Sequence, residues 1–164
     1  MATTNHAERY MKFYNNMIRL QNIQSEVHIA EVWSEALMQN TVQSSSGCIC
    51  SRLQDRDCIN GNPRIGIPSA IVHLYNEQVK RRKVPVSWIA AYLHDVLPDQ
   101  MQCDWQHFQL SHRCIVGDCV NPQHLCWESA STNQSRGYGV CRVICTHCRQ
   151  MLCHCQNLHD PHCV

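Results

Sequence analysis

The sequence predicts a small α+β fold held together by zinc, and three observations support this prediction. The chain of 164 residues contains 13 cysteines and 11 histidines, whereas aromatic residues make up only 7% of it. A chain with so few large apolar side chains builds a thin hydrophobic core, which small domains commonly reinforce with bound metal. Helical periodicity near the start and short alternating runs further on predict helices together with short strands.

The cysteine count and the apolar pattern also predict the compartment. Because 13 is an odd number, a fully paired disulfide framework is disfavoured. The first 25 residues are polar and broken by charge, and no stretch approaches about 20 apolar residues. We therefore expect no signal peptide, no membrane span and a reducing intracellular compartment, where clustered Cys and His bind metal. The net charge of +1 counts against strong non-specific DNA binding, because DNA-binding domains are usually basic.

Two amphipathic helices are predicted at 6–20 and 26–38, and together they form a helical N-terminal extension, 1–47. The apolar stripe of the first helix consists of Tyr10, Phe13, Tyr14, Met17 and Ile18. A linker-like run at 43–47 separates the extension from a second region, 48–164. The extension is compatible with a packing arm, a dimer contact or a partner site, and the sequence does not choose among them.

The second region begins with short elements. Residues 63–67 predict a strand, and Pro68 suits the start of a helix that runs to about Lys80. The basic run 80–83 either complements that helix C-terminus or contacts phosphate. A further helix is predicted at 86–97, followed by a loop that leads into a strand near residue 110.

The most informative stretch contains three zinc-type ligands at regular spacing. Cys114, Cys119 and His124 are separated by four residues each time, so a tight loop can bring them to one ion. A lone cysteine is more often a small buried apolar residue, but three spaced ligands favour zinc. A tetrahedral site needs a fourth ligand, and the upstream candidates are as follows: Cys48, Cys50, Cys58 and Cys103.

Two further residues carry potential chemistry beside this loop. His112 is either another zinc ligand, two residues from Cys114, or a general base that points away from Cys114 and takes a proton from water. Asn133 lies in a polar segment, 128–136. If that segment is helical, its inward face offers the Asn133 amide oxygen to a hard cation, and the alternative is a helix cap or a surface residue.

The run Ser111-His112-x-Cys114-x4-Cys119-x-Asn121-Pro122-x-His124-Leu, with Trp127-Glu128-Ser129 and Asn133 beyond it, resembles the His-Cys box homing endonucleases. These enzymes are a zinc-binding branch of the His-Me finger, or ββα-metal, nucleases. The resemblance covers about 25 residues in detail, extends loosely over 48–164, and implies a zinc-stabilised ββα-metal domain with short antiparallel strands.

The resemblance also implies roles for individual residues. His112 corresponds to the base that activates water, Asn133 to the ligand of a single catalytic Mg²⁺, and Arg64 to a phosphate-binding arginine. The implied structural zinc has four ligands: Cys50, Cys114, Cys119 and His124. Cys48 and Cys58 remain rivals of Cys50 for the upstream position. Double-stranded DNA as substrate, a homodimer and a nuclear location are implied in the same way.

The tail, 141–163, is the richest part of the chain in potential metal ligands. Cys145 and Cys148 have zinc-knuckle spacing, and His159 to Cys163 resembles the end of the second zinc site in the family. One or two ions are predicted there, which makes two or three zinc ions per chain. The predicted ligands of the tail are Cys141, Cys145, Cys148, Cys153, Cys155, His159 and Cys163.

Three functions are compatible with these patterns. The first is a Mg²⁺-dependent DNA endonuclease, for which His112 and Asn133 supply the two required residue types. The second is a zinc-stabilised DNA-binding protein of the same fold that does not cut, and the third is a protein-interaction module. We favour the nuclease, because both active-site residue types are present and neither is among the predicted zinc ligands.

Overall fold

The protein combines helices with short antiparallel strands, which confirms the predicted α+β class. The computed structural model describes residues 5–23, 28–43, 49–51, 58–59, 62–72, 83–112, 119–137, 142–144 and 151–153. The described helices are α1 (His6–Ile23), α2 (Ile29–Gln39), α3 (Ser69–Val72), α4 (Val86–Leu93) and α5 (Ala130–Gly137). None of them is both long and apolar enough to cross a bilayer.

Helix α1 carries most of the predicted apolar stripe on its buried side. Tyr10 and Met17 are almost fully buried, whereas Ile18 is 40% exposed. The prediction is wrong at Ile18 because the buried face continues from Met17 to Leu20, three positions further on. Helix α2 docks through Trp33, which is fully buried and whose Nε1 donates to the Met17 Sδ at 3.2 Å.

The strands pair locally and antiparallel. They are β1 (Thr41–Gln43), β2 (Ile49–Ser51), β3 (Cys58–Ile59), β4 (Asn62–Gly66), β5 (Lys83–Pro85), β6 (Gln109–His112), β7 (Leu125–Glu128), β8 (Arg142–Ile144) and β9 (Met151–Cys153). Within the described ranges, β3, β4 and β5 form one sheet, and the remaining strands pair as β1–β2, β6–β7 and β8–β9. The strand predicted at 63–67 is β4.

The segment between β4 and β5 is described only in part. Helix α3 begins at Ser69, just after Pro68, as predicted. The rest of the predicted helix, 73–80, and residues 81–82 of the basic run lie outside the described residues. Lys83 begins β5 and pairs with Gly66, so this lysine belongs to a strand rather than to a helix terminus.

Helix α4 ends at Leu93, four residues before the predicted end at Leu97. The chain turns at Asp95, whose φ of 52° is left-handed. The Val96 N–H donates to the Ala91 carbonyl at 2.9 Å, which is the closing hydrogen bond of a Schellman motif. Glycine usually occupies this left-handed position and marks the end of a helix in a sequence. Because aspartate stands there in this chain, the sequence does not indicate where α4 ends.

Asp95 also holds α1 against this turn. The Tyr14 hydroxyl donates to the Asp95 Oδ1 at 2.7 Å. This hydrogen bond, followed by partial burial, raises the pKa of Tyr14 to about 12. Buried residues of α1, α2, α4 and strands β4 to β7 form one hydrophobic cluster. The predicted boundary near residue 47 stays a prediction, and the helices before it share this core.

Candidate active site

The hairpin β6–β7 and helix α5 position the sequence motif. In the hairpin, Gln109 pairs with Glu128 and His112 pairs with Leu125. Helix α5 begins directly afterwards because Ser129 caps it, its Oγ accepting the Thr132 N–H at 3.1 Å. Strand β7, which pairs with the strand that carries His112, is therefore joined to the helix that carries Asn133 through Ser129 alone.

Asn133 faces β6 from α5 and is half-buried. Its Oδ1 accepts a hydrogen bond from the Ser111 Oγ at 2.9 Å, and its Nδ2 donates to the Gln109 Oε1 at 2.9 Å. The alternative role of helix cap is filled by Ser129 instead. A carboxamide oxygen has a second lone pair, so the bond from Ser111 leaves Oδ1 able to accept a further ligand.

A cavity of about 290 Å³ brings the three predicted catalytic residues together. His112 comes from β6, Asn133 from α5 and Arg64 from β4, and all three line this cavity. Its remaining lining residues are His6, Pro85, Ser87, Trp88, Gln109 and Leu110. The volume lies near the lower end of the range for ligand sites, about 300–1,000 Å³, which suits a small group rather than a large cofactor.

His112 and Asn133 reach the cavity by different routes. Gln109 and Ser111, which hold Asn133, lie on one face of β6 because alternate strand residues point the same way. His112 follows Ser111 and therefore leaves the strand from the opposite face. The cavity lies beside β6, which lines it through Gln109, Leu110 and His112.

Arg64 is half-buried and lines the cavity from β4. Its backbone pairs with Pro85, and its Nη1 donates to the Lys83 carbonyl at 3.5 Å, which is a long hydrogen bond. Its Nε is buried and has no hydrogen-bond partner. Burial, and then the positive charge of Arg9, lowers the pKa of Arg64.

Sequence reasoning missed His6, which lines the cavity from the first residue of α1. Its ring contacts Trp88 edge-on, with centroids 5.4 Å apart, and Trp127 at 6.2 Å. Burial, followed by the positive charges of Arg9 and Arg64, lowers the pKa of His6. No local pattern marks this histidine, because only the docking of α1 brings it to the site.

The lowered pKa of His6 predicts a pH-dependent stability. In the unfolded chain the imidazole titrates near 6.5, whereas the folded protein binds the proton less readily. The contribution of His6 to the free energy of unfolding is therefore fully present above pH 6.5. It is lost as the pH falls below that value, by at most about 1.4 kcal/mol per pH unit for one proton. We expect His6→Gln to remove this component from urea-unfolding free energies measured between pH 7.5 and 5.

The neighbouring groups define the control for this measurement. The titratable or charged groups around His6 are Arg9 on its own helix, Arg64 on β4 and His112 across the cavity. The 3₁₀ turn Trp105–His107, which packs against α1, adds an exposed histidine. His107→Gln should leave the pH profile of the wild type unchanged. Identical profiles for wild type and His6→Gln would contradict the prediction.

The predicted zinc site is described at the side chains of two of its four ligands, Cys119 and His124. Asn121 starts a 3₁₀ turn, Pro122–His124, and its Oδ1 accepts the Gln123 N–H at 3.1 Å. This turn brings the His124 Nδ1 to 3.5 Å from the Sγ of the fully buried Cys119. Two ligand atoms of one tetrahedral zinc, with bonds of about 2.3 and 2.0 Å, lie about 3.5 Å apart. The pair therefore has the separation that a shared ion requires.

The upstream strand β2 lies beside this loop. The Val120 N–H donates to the Ile49 carbonyl at 2.6 Å. Val120 follows Cys119 and Ile49 precedes Cys50, so this hydrogen bond brings the backbones of the two cysteines close together. Of Cys50 and Cys58, only the backbone is described, and Cys48 and Cys114 lie outside the described residues. Cys103 is exposed. Among the described side chains, no group of three or more ligand-type residues converges.

The tail is described only at its hairpin. Strand β8 pairs with β9 so that Arg142 faces Cys153, of which only the backbone is described. The other predicted tail ligands, Cys141, Cys145, Cys148, Cys155, His159 and Cys163, lie outside the described residues.

Comparison with known proteins finds no match among family models, curated proteins or solved structures.

Proposed function

We propose that this protein is a Mg²⁺-dependent DNA endonuclease that hydrolyses phosphodiester bonds with a histidine-activated water. The observation that carries the proposal is the convergence of His112, Asn133 and Arg64 on one cavity. These side chains come from three separate elements, and their types match the base, the metal ligand and the phosphate-binding cation of the family that the motif resembles. The sequence motif and the cavity are independent supports.

The proposed chemistry assigns one task to each side chain. His112 takes a proton from water, which then attacks the phosphorus in line with the leaving oxygen. Arg64 neutralises the negative charge of the bound phosphate. The hydrogen bonds from Ser111 and to Gln109 keep the Asn133 carboxamide in one orientation. When bound, Mg²⁺ supplies positive charge that stabilises the pentavalent phosphate and the departing 3′ oxygen.

The donor set of the cavity fits a metal that is held jointly with substrate. Among the described residues no carboxylate lines the cavity, and Asn133 offers a neutral oxygen. Mg²⁺ is commonly bound by one or two carboxylates together with substrate phosphates. The protein alone would hold the ion weakly, so we propose that Mg²⁺ enters with the DNA phosphate.

The proposal assigns zinc a structural role. The Cys119–His124 pair, with Cys114 and Cys50 as its partners, would hold the loop after β6 so that His112 keeps its position, since small displacements cost large factors in rate. The tail ligands would hold one or two further zinc ions. A homodimer that acts on a nearly symmetric DNA site, in the nucleus, belongs to the same proposal.

A plasmid-nicking assay with three Asn133 variants tests the function. The wild type should nick supercoiled DNA with Mg²⁺ and not with EDTA. Asn133→Leu should reduce nicking roughly a hundredfold or more, because it removes the oxygen. Asn133→Asp should retain substantial activity, since its carboxylate still accepts from Ser111 and still offers an oxygen to the metal. Rescue by aspartate separates a ligand role from a packing role.

The other outcomes decide between the alternatives. DNA retention in a gel-shift assay without Mg²⁺-dependent nicking by the wild type would overturn the nuclease proposal and leave a DNA-binding module of the same fold. Absence of both activities would favour a protein-interaction module. Equal nicking by the wild type and Asn133→Leu would remove Asn133 from the proposed machinery.

A further inference from the structure

Two residues that line the cavity each have a buried side-chain nitrogen without a hydrogen-bond partner, and they lie far apart in the sequence. One is the Nδ1 of His6, on the N-terminal helix, and the other is the Nε of Arg64, on β4. An arginine Nε–H can only donate, and an imidazole nitrogen can donate when it carries a proton. Buried polar groups without partners are costly, so such groups in a cavity point to a ligand.

Aromatic packing holds His6 in position beside the cavity. Tyr10, one turn further along α1, is fully buried and lies 4.9 Å from Trp127 and 5.8 Å from Trp88, measured between ring centroids. The same two tryptophans contact His6. The same aromatic cluster therefore packs against His6 and against the next turn of α1.

The charges in the cavity select an anion. Arg64 is cationic, Arg9 acts on both His6 and Arg64, and no described carboxylate lines the cavity. An apolar ligand would leave both donors unsatisfied, whereas a phosphate group presents several acceptor oxygens at once. The volume of about 290 Å³ accommodates a phosphate group with part of a sugar.

We infer that the N-terminal helix is part of the substrate site and that His6 binds phosphate, its Nδ1–H donating to an oxygen of the phosphodiester that Arg64 also contacts. The inference rests on the proposed function, because the phosphodiester is taken to be that of DNA. It adds a residue from the region before 47, for which the resembled family provides no counterpart. Helix α1 is then required for substrate binding as well as for packing.

Phosphate binding to the whole protein tests this inference without any need for catalysis. Histidine ring resonances are followed by NMR while inorganic phosphate is added at constant ionic strength. The His6 ring should shift saturably, and the exposed His94 should not. His6→Gln and Arg64→Gln should each weaken phosphate binding roughly ten- to hundredfold, the effect of one charge-assisted hydrogen bond. An unmoved His6 ring, or equal shifts at His6 and His94, would overturn the inference.

Cleavage kinetics then distinguish this inference from the nuclease proposal. His6→Gln should raise KM for a DNA duplex with little change in kcat, because a contact made equally in ground and transition states affects binding alone. His94→Gln is the matched control. A saturable His6 shift in a protein that does not nick DNA would support a phosphate site and reject the nuclease. Nicking with an unchanged KM in His6→Gln would reject the role of His6 and leave the nuclease standing.

Discussion

Replacing His112 with alanine is expected to lower the rate of DNA cleavage by about 10²- to 10⁴-fold, the usual contribution of a general base. His112 lies at the end of β6 and lines the cavity with Asn133 and Arg64. The alanine variant removes the proton acceptor while Arg64 remains to bind phosphate. The loss should therefore appear in kcat, measured under saturating DNA in Mg²⁺, and DNA affinity should change little.

A second histidine provides the control for this experiment. His94 is exposed, follows α4 and does not line the cavity. His94→Ala should cut DNA at the wild-type rate, which excludes a general effect of histidine removal. Full activity in His112→Ala, or a loss accompanied by an altered circular dichroism spectrum, would contradict a specific catalytic role.

Removing zinc is expected to abolish the cooperative fold, with a loss of stability on the order of 10 kcal/mol for a structural site. Cys119 and His124 approach within 3.5 Å, and the hydrogen bond from Val120 to Ile49 ties their loop to β2. Without an ion, thiolate and imidazole lose their shared partner and the loop loses its closure. Thermal unfolding with and without a strong chelator, followed by return of zinc, measures the effect.

Metal analysis and two cysteine variants complete the zinc experiment. The intact protein should contain two or three zinc ions per chain. Cys119→Ala should lose one of them and melt at a lower temperature, whereas Cys103→Ala, at an exposed position, should keep both the zinc content and the melting temperature. An unchanged melting curve in chelator would show that the Cys119–His124 contact is a hydrogen bond without metal.

Local patterns in the sequence predicted the elements that carry the site. The helical period of 6–20 gives α1, the alternation at 63–67 gives β4, and the spacing of residues 111–124 matches the end of β6 and the 3₁₀ turn before β7. These features are set by neighbours a few residues apart, through side-chain periodicity and turn chemistry. They can therefore be read from the chain itself.

Predictions failed where distant contacts decided the outcome. Helix α4 ends before Asp95, which has a left-handed backbone and accepts a hydrogen bond from Tyr14 of α1. No local sequence pattern indicates this helix end. Ser111 belongs to the quoted motif, but its bond to Asn133 depends on how α5 packs on β6.

The sequence by itself determined the α+β class, the residue types of the candidate site and the zinc-type spacing, since each depends on composition or on near neighbours. Only the tertiary structure decided that Arg64, His112 and Asn133 share one cavity and that His6 joins them. The physical reason is that these residues lie far apart in the chain and meet through the burial of aromatic side chains such as Tyr10, Trp88 and Trp127. The hydrophobic effect that drives this burial is non-directional, so no local sequence pattern specifies which residues it brings together.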